Sequence, residues 1–290
     1  MATTGLPESI SSDLSRVTES LQMLAPRWNV WVLLTLSQKP LRYREIKSAL
    51  PWLPDGQLHP RLGKLTESGL LERTEFEPQD VLYGLSVRGR ELLPVLGVIA
   101  AWGGKHLEKE TVLDPATGHR VPKAVPRAQD IEDAIALIAP RQATPILWAL
   151  RVRGTSSAKA LAATAMPDRH LTNVYAPLNR LAEDFLVTKD REGRVELTAA
   201  GRDLAPVYQA LSAWAAGAPL TEAANHPVWA PPPVQPQDRP ALWVTTQPRI
   251  PAAPTPQARP AWKPGDLFFS HTTTTVVRPA GAPTTGGRTR

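Results

Sequence analysis

The sequence predicts a mainly α-helical protein with small β wings, arranged as two diverged copies of one unit followed by a proline-rich tail. Apolar residues recur at three- and four-residue spacing over short segments, which is typical of amphipathic helices. Several short motifs occur twice, roughly a hundred residues apart, which indicates an internal repeat. The chain of 290 residues is 42% apolar, enough for two domains that each bury a core.

The composition excludes several classes of function. The chain has no cysteine, so disulfides, thiolate zinc sites and cysteine nucleophiles are excluded. Its histidines are scattered without ligand spacing, and it has no glycine-rich phosphate loop or nucleophile motif. We therefore expect no enzyme, no cofactor and no metal site. No segment approaches the ~18 apolar residues of a membrane span, so we expect a cytoplasmic protein without membrane contact.

The net charge of +6 permits a nucleic-acid partner, but its distribution matters more than its total. Residues 20–110 carry 12 basic and 10 acidic side chains, and residues 130–217 carry 10 of each. Residues 218–290 carry 7 basic and 3 acidic side chains, so most of the excess lies in the tail. The near-neutral folded parts argue mildly against strong DNA affinity.

The repeated motifs follow the same order in both copies. The first copy contains Leu24-Ala25-Pro26-Arg27, Arg61-Leu62-Gly63-Lys64-Leu65, Gly89-Arg90-Glu91-Leu92 and Ala101-Trp102. The second copy contains Ile138-Ala139-Pro140-Arg141, Pro177-Leu178-Asn179-Arg180-Leu181, Gly201-Arg202-Asp203-Leu204 and Ala213-Trp214. Trp102 and Trp214 occupy equivalent places on apolar helices, so we expect both to pack in a core or an interface.

Each copy is predicted to contain three helices, a hairpin and a final helix. In the first copy the predicted helices are 29–37, 43–49 and 58–66, the strands are 70–74 and 81–86 around a wing at 75–80, and the last helix is 89–105. In the second copy the predicted helices are 146–150, 159–165 and 171–183, the strands are 185–189 and 195–198, and the last helix is 202–215. Three helices with a two-stranded wing make a winged helix-turn-helix core.

The predicted domains are residues 1–110 and 130–217, joined by a linker at 111–129. The linker holds three prolines and little periodicity. From residue 218 onward the sequence predicts disorder, because 15 of the 31 prolines lie in these last 73 residues. Trp229, Trp243, Trp262 and Phe268-Phe269 are spaced like docking motifs for a protein partner, and an unselected solvated tail is the alternative.

Residues 21–101 resemble the HxlR family of bacterial winged helix-turn-helix regulators, relatives of the MarR group. The motifs that carry the resemblance are Leu41-Arg42-Tyr43-Arg44-Glu45-Ile46-Lys47-Ser48-Ala49-Leu50, Arg61-Leu62 to Leu65, Glu67-Ser68-Gly69-Leu70-Leu71-Glu72-Arg73, Leu85-Ser86 and Ala101-Trp102-Gly103. The second copy resembles the family more faintly, through Leu178, Leu181, Phe185-Leu186-Val187, Leu197-Thr198-Ala199-Ala200-Gly201 and Leu211 to Trp214.

The resemblance implies a regulator of transcription that binds double-stranded DNA as a homodimer, with one recognition helix per half-site. Two fused copies allow a second arrangement, in which one chain folds as an intrachain pseudo-dimer. Its helices at 14–24 and 92–102 would then pack against those at 131–138 and 204–214. Linkage raises the effective concentration of one copy for the other. A homodimer of tandem chains, with up to four half-sites, stays open.

Two groups of side chains are candidates for DNA contact in the first copy. Those at the start of the first helix of the motif would hold phosphates: Arg42, Tyr43, Arg44 and Lys47. Those of the recognition helix would reach base edges or flanking phosphates: Gln57, His59, Arg61 and Lys64. The second copy offers Arg169, His170, Asn173, Tyr175 and Arg180 on its helix face, and Arg191 and Arg194 in its wing. An ordinary solvated face is the alternative reading of these charges.

The sequence departs from the family pattern at two places. Pro60 and Pro177 lie inside the predicted recognition helices, so we expect either helix to begin late, with Arg61 and Lys64 carrying the contacts in the first copy. Its wing holds Glu75, Glu77 and Asp80, which makes insertion of this wing at phosphates improbable. These features favour a second hypothesis, a winged-helix scaffold for protein–protein interaction that has lost DNA binding.

Overall fold

The computed structural model describes residues 6–77 and 80–229. Its α-helices are α1 (Glu8–Leu24), α2 (Asn29–Thr35), α3 (Tyr43–Ala49), α4 (Asp55–Glu67), α5 (Val87–His106), α6 (Arg127–Ile138), α7 (Ala143–Arg153), α8 (Ala158–Ala165), α9 (Tyr175–Glu183), α10 (Ala199–Arg202) and α11 (Ala205–Ala215). Its strands are β1 (Leu41–Arg42), β2 (Leu71–Glu77), β3 (Asp80–Leu85), β4 (Thr111–Leu113), β5 (Arg120–Pro122), β6 (Ser156–Ser157), β7 (Val187–Lys189) and β8 (Arg194–Leu197). Short 3-10 helices span Leu171–Val174 and Leu220–Asn225.

The prediction of a mainly helical chain with small antiparallel sheets is confirmed. We call residues 6–107 the first half and residues 127–229 the second half. Each half begins with an amphipathic helix whose apolar residues recur every three or four positions and are buried. In α1 these residues are Leu14, Val17, Leu21 and Leu24, and in α6 they are Ala128, Ile131, Ile135 and Ile138.

Each half contains a three-stranded antiparallel sheet in which a very short strand pairs with one side of a hairpin. The strand order is β1-β3-β2 in the first half and β6-β8-β7 in the second. Leu41 pairs with Tyr83 in the first sheet, and Ser156 pairs with Val195 in the second. The two sheets therefore share both strand order and register.

A glycine after each hairpin lets the next helix approach the preceding chain closely. A Cβ on Gly89 would lie 2.2 Å from the carbonyl oxygen of Leu70, and a Cβ on Gly201 would lie 2.1 Å from that of Leu186. The hydroxyls of Ser86 and Thr198 accept hydrogen bonds from the amides of these glycines and so cap the helices that follow. Any larger residue at either glycine would require the backbone to shift.

The two halves pack against each other through helices at the ends of each half. Helix α5 contacts α6 and α11, and α1 contacts α11. The indole nitrogen of Trp102 donates to the carbonyl of Ala200 at 3.0 Å, and that of Trp214 donates to the carbonyl of Arg88 at 3.1 Å. Both tryptophans are buried, as the sequence predicted for packing residues.

A buried polar contact joins α1 to α11. The carboxylate of Asp13 is 1% exposed and accepts a hydrogen bond from the hydroxyl of Ser212 at 2.8 Å. The ring of His226, from the segment after α11, lies 3.5 Å from the same carboxylate. This contact ties the N-terminal helix to the second half of the chain.

The segment predicted as a linker contains regular structure. Strands β4 and β5 form an exposed antiparallel hairpin, with Val112 opposite Val121. Helix α6 then begins at Arg127, before the predicted domain boundary at residue 130. Pro122 lies at the end of β5, where a proline disturbs a two-stranded ladder least.

The prediction of disorder from residue 218 is wrong for residues 218–229. After the 3-10 helix, Trp229 is 1% exposed and stacks on Tyr208, with ring centroids 4.2 Å apart. Burial of this large ring outweighs the weak local propensity of a proline-containing segment. The remaining tail, with Trp243, Trp262, Phe268 and Phe269, lies outside the described residues.

Among the described residues, none of the helices has the length and apolar content needed to cross a lipid bilayer.

Candidate nucleic-acid interface

Helices α3 and α4 and the turn between them form the helix-turn-helix of the first half. Ile46 of α3 and Leu58, Leu62 and Leu65 of α4 are buried and hold the two helices against α2 and the sheet. Because these leucines recur at three- and four-residue spacing, the opposite side of α4 faces solvent. This exposed side is the candidate surface for a groove of DNA.

The expectation that the recognition helix begins late is wrong for α4. The helix begins at Asp55, directly after Pro54, and Pro60 lies within it as the sixth residue. Gln57 is therefore on the helix, not in the preceding turn. Pro60 deprives the carbonyl of Gly56 of its usual amide partner, but the buried leucines keep the helix continuous to Glu67.

A carboxylate at the start of α4 engages two of the predicted contact residues. Asp55 accepts a hydrogen bond from the hydroxyl of Tyr43 at 2.7 Å, and the Lys47 ammonium lies 3.7 Å from it. Lys47 also donates to the carbonyl of Leu53. Burial, together with the hydrogen bond to Asp55, raises the pKa of Tyr43 to about 12. Tyr43 and Lys47 thus hold α3 against the start of α4.

Two arginines of the first sheet, Arg42 and Arg73, form ion pairs with carboxylates of the same sheet. Arg42 forms a bidentate ion pair with Asp80, with Nε–Oδ1 and NH2–Oδ2 distances of 2.7 and 2.9 Å. Hydrogen bonding to Asp80 raises the pKa of the Arg42 guanidinium. In β2, Arg73 pairs with Glu75, the first residue of the wing, at 2.9 Å. The acidic wing therefore neutralises its own neighbours.

Arg61 is directed toward the loop before α2. Its Nε donates to the carbonyl of Arg27 at 2.8 Å, and its NH2 lies 3.3 Å from the side-chain oxygen of Gln57. The sequence predicted that Arg61 would carry contacts to DNA, but in the structure it anchors α4 to the chain that precedes α2. Gln57 is exposed, and its side-chain oxygen accepts the second hydrogen bond of Arg61.

Three exposed residues of the predicted set in the first half form no side-chain hydrogen bond or ion pair within the described part of the chain. Arg44 and Lys64 have no ion pair or side-chain hydrogen bond with any described residue, and His59 contacts only the ring of Tyr43, with centroids 6.5 Å apart. Arg44 is the second residue of α3, and Lys64 lies on the exposed side of α4. These side chains are available to a partner.

The corresponding segment of the second half is the 3-10 helix Leu171–Val174 followed by α9. His170 caps this segment: its ring accepts a hydrogen bond from the amide of Thr172 at 3.4 Å. Arg169, Asn173 and Tyr175 are exposed around it. Pro177 is the third residue of α9, in the first turn, where its missing amide breaks no intrahelical bond. The late start predicted for this helix agrees with the structure.

The remaining candidates of the second half lie beside its hairpin. Arg180 reaches the carbonyl of Ala136 at 3.5 Å and lies 3.7 Å from Asp184. Arg191 and Arg194 are exposed at the turn between β7 and β8, where Asp190 accepts bonds from the Arg194 amide and holds the turn. Their guanidiniums form no ion pair within the described residues.

Reasoning from sequence missed two kinds of residue. The first kind is the carboxylates of Asp55 and Asp80, which pair with predicted contact residues and so determine which cations stay unpaired. Asp80 lies 38 residues after its partner Arg42, so no local sequence pattern indicates that pair. Lys159 was also missed. It is the second residue of α8, as Arg44 is of α3, and it is exposed. Because Arg44 and Lys159 are each the second residue of a short helix, comparing the two halves residue by residue could have identified Lys159.

Two short helices, the second with a solvent-facing side, and an antiparallel hairpin after them define a helix-turn-helix protein. The family model described as HxlR-like helix-turn-helix matches residues 23–111. The chain belongs to this family.

Curated relatives of the chain are described as HTH-type transcriptional regulators. The HTH-type transcriptional regulator YdzF of Bacillus subtilis (strain 168) is 34% identical over 87 residues, which are 29% of this chain and 80% of that protein. An HTH-type transcriptional regulator of Methanothermobacter thermautotrophicus (strain Delta H) is 31% identical over 100 residues, 33% of this chain and 76% of that protein.

One solved structure, a MarR-family regulator from Porphyromonas gingivalis W83, is 27% identical and covers 31% of this chain and 89% of that chain, with a TM-score of 0.28.

Proposed function

We propose that the protein is a DNA-binding regulator of transcription that places α4 in the major groove. The observation that carries the proposal is the solvent-facing side of α4 in a chain of the HxlR-like family. A helix with its N-terminal part exposed beside a second helix is the arrangement that fits B-DNA. We propose that the protein acts in the cytoplasm, where a regulator of transcription in bacteria meets DNA.

The candidate residues divide by their partners within the chain. Arg44 and Lys64 are free to neutralise phosphates, and Gln57 and His59 are placed to meet base edges. Arg42, Tyr43, Lys47 and Arg61 act chiefly by fixing the positions of α3, α4 and the wing. In the second half, Arg169, Asn173, Tyr175, Arg180, Arg191 and Arg194 are the corresponding candidates.

We further propose that the second half is a diverged winged helix-turn-helix copy that arose by tandem duplication. The shared strand order and register support this, as do Gly89 and Gly201, which meet equivalent carbonyls at 2.2 and 2.1 Å. The domains are then residues 1–110 and 130–217, with residues 218–229 packed on the second.

The contacts between the halves favour an intrachain pseudo-dimer. Trp102 bonds the carbonyl of Ala200, and Trp214 bonds that of Arg88; Ala200 and Arg88 each directly precede the close-approach glycine of their half. Reciprocal contacts between equivalent residues are what a two-fold dimer interface makes. Sedimentation of the full chain should therefore show a monomer, and a concentration-dependent dimer would instead support pairing of two chains.

Binding of the full chain to a labelled random duplex, measured by anisotropy over a range of salt, tests the function. We expect binding at low salt that weakens steeply as salt rises, since counterions are released from phosphates. Arg44→Ala with Lys64→Ala should weaken binding and lower the slope of log K against log salt by about 2, because two phosphate contacts are lost.

The matched control removes the same charge elsewhere. Arg120→Ala with Lys123→Ala changes the exposed β4–β5 hairpin and should leave the slope unchanged. An equal loss in both double variants would mean that net charge, not the α4 face, attracts the duplex. Absence of binding even at low salt would overturn the proposal.

One observation favours a second candidate function, a scaffold for protein–protein interaction. Four of the predicted cations and polar groups of the first half are engaged by Asp80, Asp55 and backbone carbonyls. A scaffold would show no duplex binding at low salt. In that case the tail, with Trp243 and Trp262, would be the first segment to test for a protein partner.

A further inference from the structure

The recognition segments of the two halves, residues 54–70 and 170–186, share one pattern of exposure. Every position that is buried, half-buried or exposed in the first segment is matched by a position in the same state in the second. The buried positions of the two helices correspond one to one: Leu58, Leu62 and Leu65 in the first half, and Val174, Leu178 and Leu181 in the second. The same side of each recognition segment therefore faces solvent.

Both recognition segments also end in the same turn. The residue that ends the turn has a positive φ in each half, 72° at Gly69 and 55° at Phe185. The amide of the next residue, Leu70 or Leu186, donates to the carbonyl five positions earlier, at 2.9 Å in both halves. This is the Schellman arrangement that closes a helix. The shared end fixes the correspondence between the two segments residue by residue.

The exposed side chains differ where a recognition helix meets base edges, which is its N-terminal part. The corresponding residues are Asp55, Gln57 and His59 in the first half, and Leu171, Asn173 and Tyr175 in the second. Leu171 is 37% exposed and Tyr175 is 49% exposed. These two side chains lie about one helical turn apart, so the second half presents an apolar patch where the first presents polar groups.

The carboxylate at the start of α4 is replaced in the second half. Asp55 accepts a hydrogen bond from Tyr43, the first residue of α3. Leu171 stands in the place of Asp55, and Ala158, the first residue of α8, stands in the place of Tyr43. An aspartate can accept from cytosine N4 and a glutamine can pair with adenine, whereas apolar side chains contact the methyl group of thymine. The two surfaces therefore suit different bases.

The cations beside the two surfaces are shared. Arg44 and Lys159 are each the second residue of the helix before the recognition segment, and Lys64 corresponds to Arg180. Phosphates are the same at every base pair, whereas base edges carry the sequence. Equivalent cations combined with different base-contacting groups are what two copies need in order to bind unlike sequences.

The packing of the two halves sets the relation between these surfaces. The indole nitrogens of Trp102 and Trp214 make reciprocal hydrogen bonds across the interface, as in a two-fold dimer. A dimer of identical chains reads a palindrome, because each half-site meets the same side chains. Here the backbone arrangement is two-fold, but the side chains that face the bases are not.

We propose that one chain recognises a non-palindromic duplex with two unlike half-sites, whose centres lie about one helical turn, roughly 10 base pairs, apart. Helix α4 selects one half-site through polar groups, chiefly Gln57. Residues 171–181 select the other, in which Leu171 and Tyr175 contact thymine methyl groups. Because the two surfaces differ, the chain lies on its site in one orientation. This inference rests on the proposed function and on the intrachain pseudo-dimer.

Selection of bound sequences from a random duplex library by the full chain, followed by sequencing, tests the proposal. We expect a consensus of two unlike half-sites, one of them rich in thymine. A palindromic consensus, a single half-site, or duplex binding without enrichment of any sequence would overturn the inference and leave the proposed function in place. Absence of duplex binding even at low salt would overturn the proposed function itself.

Three synthetic duplexes then test whether both surfaces are used together. One carries the selected site, and each of the others carries one of its half-sites twice, as an inverted repeat. The selected site should bind at least tenfold more tightly than either palindrome, because each palindrome mismatches several base pairs in one half. Equal or tighter binding of either palindrome would reject recognition by two unlike surfaces.

Replacing thymine with deoxyuridine tests the apolar patch, because only the methyl group is removed. In the thymine-rich half-site each replacement should weaken binding about threefold, whereas replacements in the other half-site should have little effect. Leu171→Ala with Tyr175→Ala should abolish this sensitivity. Both side chains are exposed, so the fold should be retained, and the midpoint of thermal unfolding checks this.

Leu113→Ala is the matched control, since it removes an exposed apolar side chain from the β4–β5 hairpin. It should leave the sensitivity to deoxyuridine unchanged. Sensitivity that persists in the double variant would reject the assignment of the thymine contact to Leu171 and Tyr175.

Discussion

The two halves of the chain share the order of their helices and the strand order and register of their sheets, but differ in the side chains around the helix-turn-helix. In the first half, tryptophans and Glu132 fill the space beside α2, and Asp55 and Asp80 engage cations of the helix-turn-helix. In the second half the corresponding positions hold Gln142, Pro145 and Asp168, and Arg141 and Arg169 beside them form no ion pair with any described residue. The two halves therefore bury apolar residues in the same order but differ in the side chains around that core.

The strongest test of the shared plan is the pair of close-approach glycines. Gly89→Ala and Gly201→Ala each place a Cβ near 2 Å from a backbone carbonyl. Each should lower the free energy of unfolding by roughly 2–4 kcal/mol, because the backbone must shift. Urea denaturation measures the loss.

Gly104→Ala is the matched control, since no atom lies within 4 Å of a Cβ at this helical position. It should stabilise the chain by about 0.5 kcal/mol through helix propensity. If only one of the two close-approach glycines were sensitive, the halves would not share the same packing at this point.

The second prediction concerns Glu132, which accepts a hydrogen bond at the N-terminus of α2 and has no counterpart at the N-terminus of α7. Burial raises the pKa of Glu132 to about 7, although the amides of Trp28 and Val30 and the charge of Arg27 act in the opposite direction. A raised folded-state pKa means that the folded chain binds this proton more tightly than the unfolded chain. The resulting stability is complete below about pH 4.5 and is lost as the pH rises through about 7.

Glu132→Gln removes the titration and keeps an oxygen that accepts the amide bond. From pH 5 to pH 8 the unfolding free energy of the natural chain should fall by roughly 1 kcal/mol more than that of the variant, a value reduced for partial solvent screening. Asp133→Asn, on the exposed side of the same helix, should reduce the difference only slightly, because the Asp133 charge makes the smallest contribution to the raised pKa of Glu132. A steeper fall in the Glu132→Gln chain would contradict the assignment.

The sequence predicted more of the fold than of the site. Helix α3 was predicted at its observed bounds, because Leu41 to Leu50 carries both an amphipathic pattern and a helix start. Helix α4 begins three residues before its predicted start because Pro60 was weighed as a boundary, whereas tertiary burial of Leu58 and Leu62 overrides that local cost. Local patterns therefore locate elements better than their ends.

The site depended on contacts that local patterns do not contain. The pairing of Arg42 with Asp80, and of Arg61 with the carbonyl of Arg27, joins residues more than thirty positions apart. These bonds decide which cations are free to meet a phosphate. The burial of Trp229 against Tyr208 is likewise a tertiary effect within a segment whose composition predicts disorder.

The smallest predicted effect compares the two equivalent cations Arg44 and Lys159. Both are the second residue of the short helix that follows the edge strand, and both are exposed. If the two halves meet the same duplex as a pseudo-dimer, each cation faces one phosphate. Arg44→Ala and Lys159→Ala should then each lower the salt slope of duplex binding by about 1 and weaken binding several-fold.

The double variant decides whether the halves act together. Two independent phosphate contacts should give additive losses in binding free energy, with the salt slope lowered by about 2. A loss in Arg44→Ala with none in Lys159→Ala would mean that only the half matching the family model touches DNA. In that case the second half would serve to hold the first half in position through Trp102, Trp214 and the helices packed around them.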